Sequence, residues 1–147
     1  MLIRRSTNLM LAALITALSG CPSRPYFRFV DPTPDSMARV YVYRPTQDFG
    51  DPSQSVYIND RKVASLSSPD YTYYMTPPGT VNVKIVGLRE AYMRFEVEGG
   101  KSYFLKSSVN TISSGSTATG IDVLSFMDHE TGLEEITSCQ LSALPRY

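Results

Sequence analysis

The stretch Met93–Val109 reads MRFEVEGGKSYFLKSSV. In its first half Met93, Phe95 and Val97 alternate with Arg94, Glu96 and Glu98, the period-two pattern of a strand with one dry and one wet face. Gly99-Gly100 then turns the chain into a second strand, Lys101–Val109. Upstream, Thr76-Pro77-Pro78-Gly79 is the sharpest turn signal in the chain, because Pro presets φ and Gly supplies a positive φ. After it Val81, Val83 and Ile85 alternate with Asn82 and Lys84.

The same pattern continues outward. Ala38–Arg44 (ARVYVYR) places Val40 and Val42 on one face and Tyr41 and Tyr43 on the other, and Pro45 ends it. Residues 45–55 read as a loop. Val56–Asn59 and Lys62–Leu66 flank turn residues Asn59, Asp60 and Arg61, a hairpin signal. Ser67–Asp70 breaks the chain before a strand at Tyr71–Met75. Downstream, residues 110–120 (NTISSGSTATG) read as a flexible loop, and Ile121–Met127 as a last strand. The pattern then changes: Thr131 and Glu134 have capping-box spacing, and Leu133 with Ile136 gives a short apolar stripe, so one short helix is expected within 128–138. The fold class is therefore all-β, with about seven strands and a short C-terminal helix.

The first twenty residues are of another kind. Arg4 and Arg5 precede a ten-residue apolar run, Leu9–Leu18, about half the ~20 residues of a membrane-spanning helix. It ends at Ser19-Gly20-Cys21-Pro22. Leu18-Ser19-Gly20-Cys21 resembles the lipobox of bacterial lipoproteins, which implies cleavage before Cys21 and thioether attachment of diacylglycerol to its sulfur. Further acylation of the new amine, by palmitate-type chains, is also implied. One acyl chain binds a bilayer only marginally at ~0.8 kcal/mol per CH₂, and two or three make a stable anchor. By resemblance to sorting in enteric-type bacteria, Pro22 implies the outer membrane, facing the periplasm. The expected organisation is a signal peptide at 1–20, a lipidated Cys21 with a Pro-rich tether at 21–37, and a β-domain at 38–147. Four prolines stiffen that tether and hold the domain off the bilayer. Tyr26, Phe27, Phe29 and Val30 leave two placements open, as an edge strand on the domain or at the lipid interface.

The chain carries 14 basic and 14 acidic residues; residues 1–20 hold two of the basic ones and none of the acidic, leaving 12 against 14. Such a domain lacks the basic footprint of a nucleic-acid binder. Of two cysteines, Cys139 has no partner in the mature chain if Cys21 carries lipid, and is expected to be buried. A Cys21–Cys139 disulfide is the competing arrangement.

Tyr43-Arg44-Pro45, Val56-Tyr57-Ile58-Asn59, Pro78-Gly79-Thr80, Gly100-Lys101-Ser102-Tyr103-Phe104 and Gly132–Ile136 occur in an order similar to that of the bacterial lipoprotein family of the domain of unknown function 2846 type. The resemblance spans roughly residues 38–141 and departs at Asp60, where a Gly commonly follows the Asn. It implies a small antiparallel β-sandwich, prealbumin-like, and brings no activity, cofactor or catalytic residues with it.

Candidate chemistry is sparse. His129 is the single histidine, and position 133 is Leu where a second zinc-protease ligand would stand. No serine sits in a Gly-x-Ser-x-Gly elbow, and Glu96/Glu98 share one wet strand face rather than opposing each other across a cleft. Neither a metal nor a cofactor is expected. The tyrosines are the remaining candidates. Tyr41, Tyr43, Arg44, Tyr57 and Tyr73 are the candidate binding residues; Tyr41 and Tyr43, if they face away from the valine core, present an aromatic platform for sugar or protein, but the expectation is that the tether, the helix or another strand covers that face. The expected function is that of a non-enzymatic, membrane-anchored envelope lipoprotein whose sandwich binds or scaffolds a protein partner. The alternative is a glycan- or peptidoglycan-binding module using the tyrosine-rich face.

Overall fold

A computed structural model describes residues 23–29, 32–46 and 52–142. The expected signal peptide, Cys21 and Pro22 lie outside the described residues, as do Val30 and the middle of the 45–55 loop. The described chain is an all-β sandwich of two largely antiparallel sheets with one short helix. Its strands are β1 (Ala38–Arg44), β2 (Gln54–Ile58), β3 (Arg61–Leu66), β4 (Asp70–Thr76), β5 (Gly79–Val86), β6 (Glu90–Val97), β7 (Ser102–Ser114) and β8 (Thr117–Met127). A helix, α1 (His129–Ile136), and a two-residue strand, β9 (Gln140–Leu141), follow. That makes nine strands among the described residues, where about seven were expected from the sequence. One sheet has the order β8-β7-β1-β4-β9 and the other β3-β2-β5-β6. Most pairs are antiparallel, but β1 pairs parallel with β7 and β4 with β9.

The alternation read from sequence becomes the inner faces of the two sheets. Val40, Val42 and Leu105 meet Val56, Ile58, Val81, Val83 and Ile85, all fully buried. In β3 both Val63 and Ala64 are buried, because the register shifts at Val56/Tyr57 and one extra residue is accommodated there. The β2–β3 hairpin closes through Asn59 and Asp60, both with positive φ (48° and 64°). This is the two-residue turn whose twist suits a hairpin. Asp60 adopts the left-handed conformation that a Gly would have taken freely.

Two expectations change. Residues 110–120 are not a loop but the outer half of a long hairpin: Asn110–Ser114 pair with Thr117–Ile121 around Gly115 and Ser116. The described part of the 21–37 segment is packed on the domain. Phe27 donates its N–H to the Cys139 carbonyl (3.0 Å), Leu141 donates to the Pro25 carbonyl (2.9 Å), and Arg24 pairs with Asp70 (2.8 Å). Thr33 bonds Ser102, and Gly100 donates to the Met37 carbonyl, which fastens the segment at both ends.

Candidate functional site

β1 is buried along its whole length, on both faces. Its even-numbered residues enter the sandwich core. Tyr41 and Tyr43 point the other way, beside Tyr71 and Tyr73 of β4 and Phe104 of β7, their register partners. This outer face holds a second, aromatic core. Phe27 sits edge-on to both Tyr41 (5.4 Å between ring centres) and Tyr71 (5.3 Å), and Tyr41 stacks on Phe104 at 5.0 Å. α1 lies over Phe104 so closely that a Cβ on Gly132 would fall 2.4 Å from the Phe104 Cβ. Asp128 caps the helix, its side chain accepting from the Thr131 N–H at 2.9 Å. The cap is thus Asp128 rather than Thr131, three residues earlier than the expected capping box.

Tyr41 and Tyr43 are thus covered, as expected, rather than displayed as a platform: they are 3% and 0% exposed, beneath the N-terminal segment and the helix. The Tyr43 hydroxyl donates to Glu135 Oε2 (2.7 Å), and Lys106 Nζ meets Glu135 Oε1 (2.8 Å). Burial, then the adjacent Glu135 carboxylate, pushes the Tyr43 phenol far above its ordinary value. Burial opposes ionisation of Glu135, but the hydrogen bonds from Lys106 and Tyr43 outweigh it and hold this carboxyl below the usual glutamate range. Arg44 is also fully buried and donates to the Pro52 carbonyl at 2.7 Å, pinning the chain after β1. Tyr57 lies on the other sheet, with Lys84 Nζ 5.0 Å above its ring. Tyr73 alone of the five is substantially open, at 43%.

Tyr73 and the edge of Tyr41 belong to a cavity of about 290 Å³ beside the docked N-terminal segment. Arg28 and Arg39 line it together with Tyr26, Tyr41, Tyr71 and Tyr73. Arg39 is held in place by the Met75 sulfur (3.3 Å) and the Tyr41 hydroxyl (3.3 Å). Burial raises the Tyr71 phenol, so this wall stays neutral. Sequence reading missed Arg39, although alternation along β1 puts it on the face of Tyr41 and Tyr43. It missed Arg28 because nothing in a proline-rich segment tells which residues will dock.

The other chemistry-bearing residues stay apart. His129 packs edge-on between Phe29 (5.9 Å) and Phe104 (5.4 Å). Gln54, Asp122 and Ser107 form a buried chain of hydrogen bonds, with the Arg89 N–H donating to Asp122 Oδ2 at 2.6 Å; it joins the sheets at one end of the sandwich. No group of three or more His, Cys, Asp and Glu converges among the described residues. Cys139 is fully buried, its thiol pushed up to about 11 chiefly by burial.

Residues 34–120, more than half of the chain, match the family described as "Protein of unknown function (DUF2846)". No curated protein and no solved structure matches the chain.

Proposed function

The chain belongs to the DUF2846 family, and on that footing we propose that it is an envelope lipoprotein and not an enzyme. In this reading Cys21 carries the lipid, and the β-sandwich holds a protein partner at the membrane surface of the outer membrane, facing the periplasm. The anchor is supported by the Leu18–Cys21 pattern and by the burial of Cys139, which leaves that thiol badly placed for a disulfide with Cys21. The observation that carries the partner-holding role is the outer half of the β7–β8 hairpin. Asn110–Thr119 are exposed throughout, Ile112 at 55%. β8 is an edge strand of its sheet, at the end opposite β9. β1 pairs only with Ser102–Lys106 of β7, so Asn110–Ser114 have β8 as their only described strand partner. Such an arm presents hydrogen-bonding edges to which an extended segment of another protein adds as a strand. Ile112, Ile121 and Val123 fall on one face of it by pairing and alternation, giving side-chain contacts to go with the backbone ones.

The test is affinity capture from detergent-solubilised envelopes with the wild type and with a variant whose residues 110–120 are replaced by a two-residue turn. The reading expects a protein held by the wild type and lost from the shortened arm while the melting temperature stays close to wild type. Recovery of no stable protein, or of the same protein by both forms, would overturn it.

A further inference from the structure

The docking of the N-terminal segment fixes more than the covered face. If Cys21 is acylated, the three steps from it to Arg24 span at most about 11 Å of extended chain. Arg24 is already paired with Asp70, and Pro25 and Phe27 are already bonded to the C-terminal strand region. The domain thus sits on a leash of a few residues rather than the seventeen of an open tether spanning 21–37. Pro25 and Tyr26, directly after Arg24, line the arginine–tyrosine cavity, so a lipid on Cys21 would bring that part of the surface toward the bilayer.

That cavity has the chemistry of an anion site with an amphipathic rim. Guanidiniums match phosphate oxygens in geometry as well as charge; Arg28 and Arg39 line the cavity, Arg28 exposed and Arg39 already engaged by Met75 and Tyr41. Tyr26 and Tyr73, 60% and 43% exposed, stand at its mouth. Tyrosine, with an apolar ring and a polar tip, settles at the headgroup level of membranes. At about 290 Å³ the cavity lies near the lower end of ligand pockets. A shallow site is enough when the covalent anchor keeps headgroups at high local concentration. We propose that this cavity takes the phosphate-bearing headgroup of an anionic membrane lipid and so docks the sandwich, by the tyrosine-rich face of its five-stranded sheet, against the bilayer to which Cys21 ties it. The proposal rests on the lipid-anchor reading above.

The experiment uses the mature chain extracted from membranes, its acylation checked by mass, in bicelles of neutral phosphatidylcholine with a rising fraction of phosphatidylglycerol. The readout is the NMR signals of the Arg28 Nε–Hε and of the Tyr26 and Tyr73 rings. A saturable shift is expected, with Arg28→Gln weakening the response roughly fivefold or more and Tyr26→Ala also weakening it. Arg28 is exposed, so its substitution leaves the core untouched. An equal response to inorganic phosphate in neutral bicelles would make this a free-phosphate site and overturn the lipid assignment. A response to glucuronate but not to either phosphate would replace it with an acidic-sugar site. The absence of any shift in an acylated chain would dispose of the pocket while leaving the anchor standing. An unacylated chain that still responds to phosphatidylglycerol would remove the anchor and keep the pocket.

Discussion

At the scale of single residues, the buried polar groups that hold the cover onto the sheet have measurable consequences. Tyr43, Glu135 and Lys106 form one connected set joining β1, α1 and β7. Tyr43→Phe removes a hydrogen bond to a carboxylate without opening a cavity, and should cost about 1–2 kcal/mol in urea unfolding. The pH dependence has a definite sign. The folded Glu135 carboxyl lies below the ordinary range, so its contribution is complete above the unfolded value near ~4.3 and is lost as pH falls through the folded one. Wild-type stability should therefore fall as the pH drops below about 4.3, and the Tyr43→Phe/Lys106→Met double variant should show a flatter profile there. An unchanged profile would mean that Glu135 is not held by these partners. Cys139 gives a second test. A fully buried thiol with its pKa raised to about 11 should resist alkylation at neutral pH in the folded chain and react promptly in denaturant. Fast labelling without denaturant would contradict the burial.

Among the elements, the lid formed by α1 and the N-terminal segment is the part most sensitive to small changes. Gly132→Ala forces a methyl group into Phe104 and should destabilise by about 1–3 kcal/mol, read as a lower urea midpoint. Phe27→Ala empties the space between Tyr41 and Tyr71 and should cost roughly 3–5 kcal/mol. It should also expose the segment before β1 to limited proteolysis, whereas protection equal to wild type would mean that Phe27 is not what holds it.

The strands were legible in the sequence wherever two unlike faces alternate. β1, β5 and β6 stand where alternation put them, give or take three residues at an end. What alternation cannot report is which distant segment covers a face. The valine–tyrosine repeat of β1 shows two unlike faces, but Phe27 and Ile136, which close the second, lie 14 and 93 residues from Tyr41 and Tyr43 respectively. The hairpin of residues 110–120 was hidden for the opposite reason. Both of its faces meet water, so no polarity alternates, and Ser, Thr and Gly read as loop although Thr suits an exposed strand. The arginine–tyrosine cavity was half legible: Tyr41 and Tyr73 were singled out, while Arg28 and Tyr26 entered only through the docking of a segment with no periodicity.

For the whole molecule, the family match and the lid divide the chain. The matched span, residues 34–120, contains β1 to β7 and the start of β8, and leaves the N-terminal segment, α1 and β9 outside it. Most of the sandwich falls within the matched residues; the cover of the tyrosine face lies beyond them. In the proposed function, place and partners depend on one covalent event upstream of both, the acylation of Cys21. With Cys21 acylated, the docked segment sets the domain directly on the bilayer and leaves the β7–β8 arm as its free extension. Without it, the same sandwich diffuses and the arm has no surface to work from. Mass spectrometry of the N-terminal peptide of the chain extracted from membranes tests this most directly. The account predicts a chain that begins at Cys21 with diacylglycerol on the sulfur. A free thiol at Cys21, or a disulfide from Cys21 to Cys139, would contradict it.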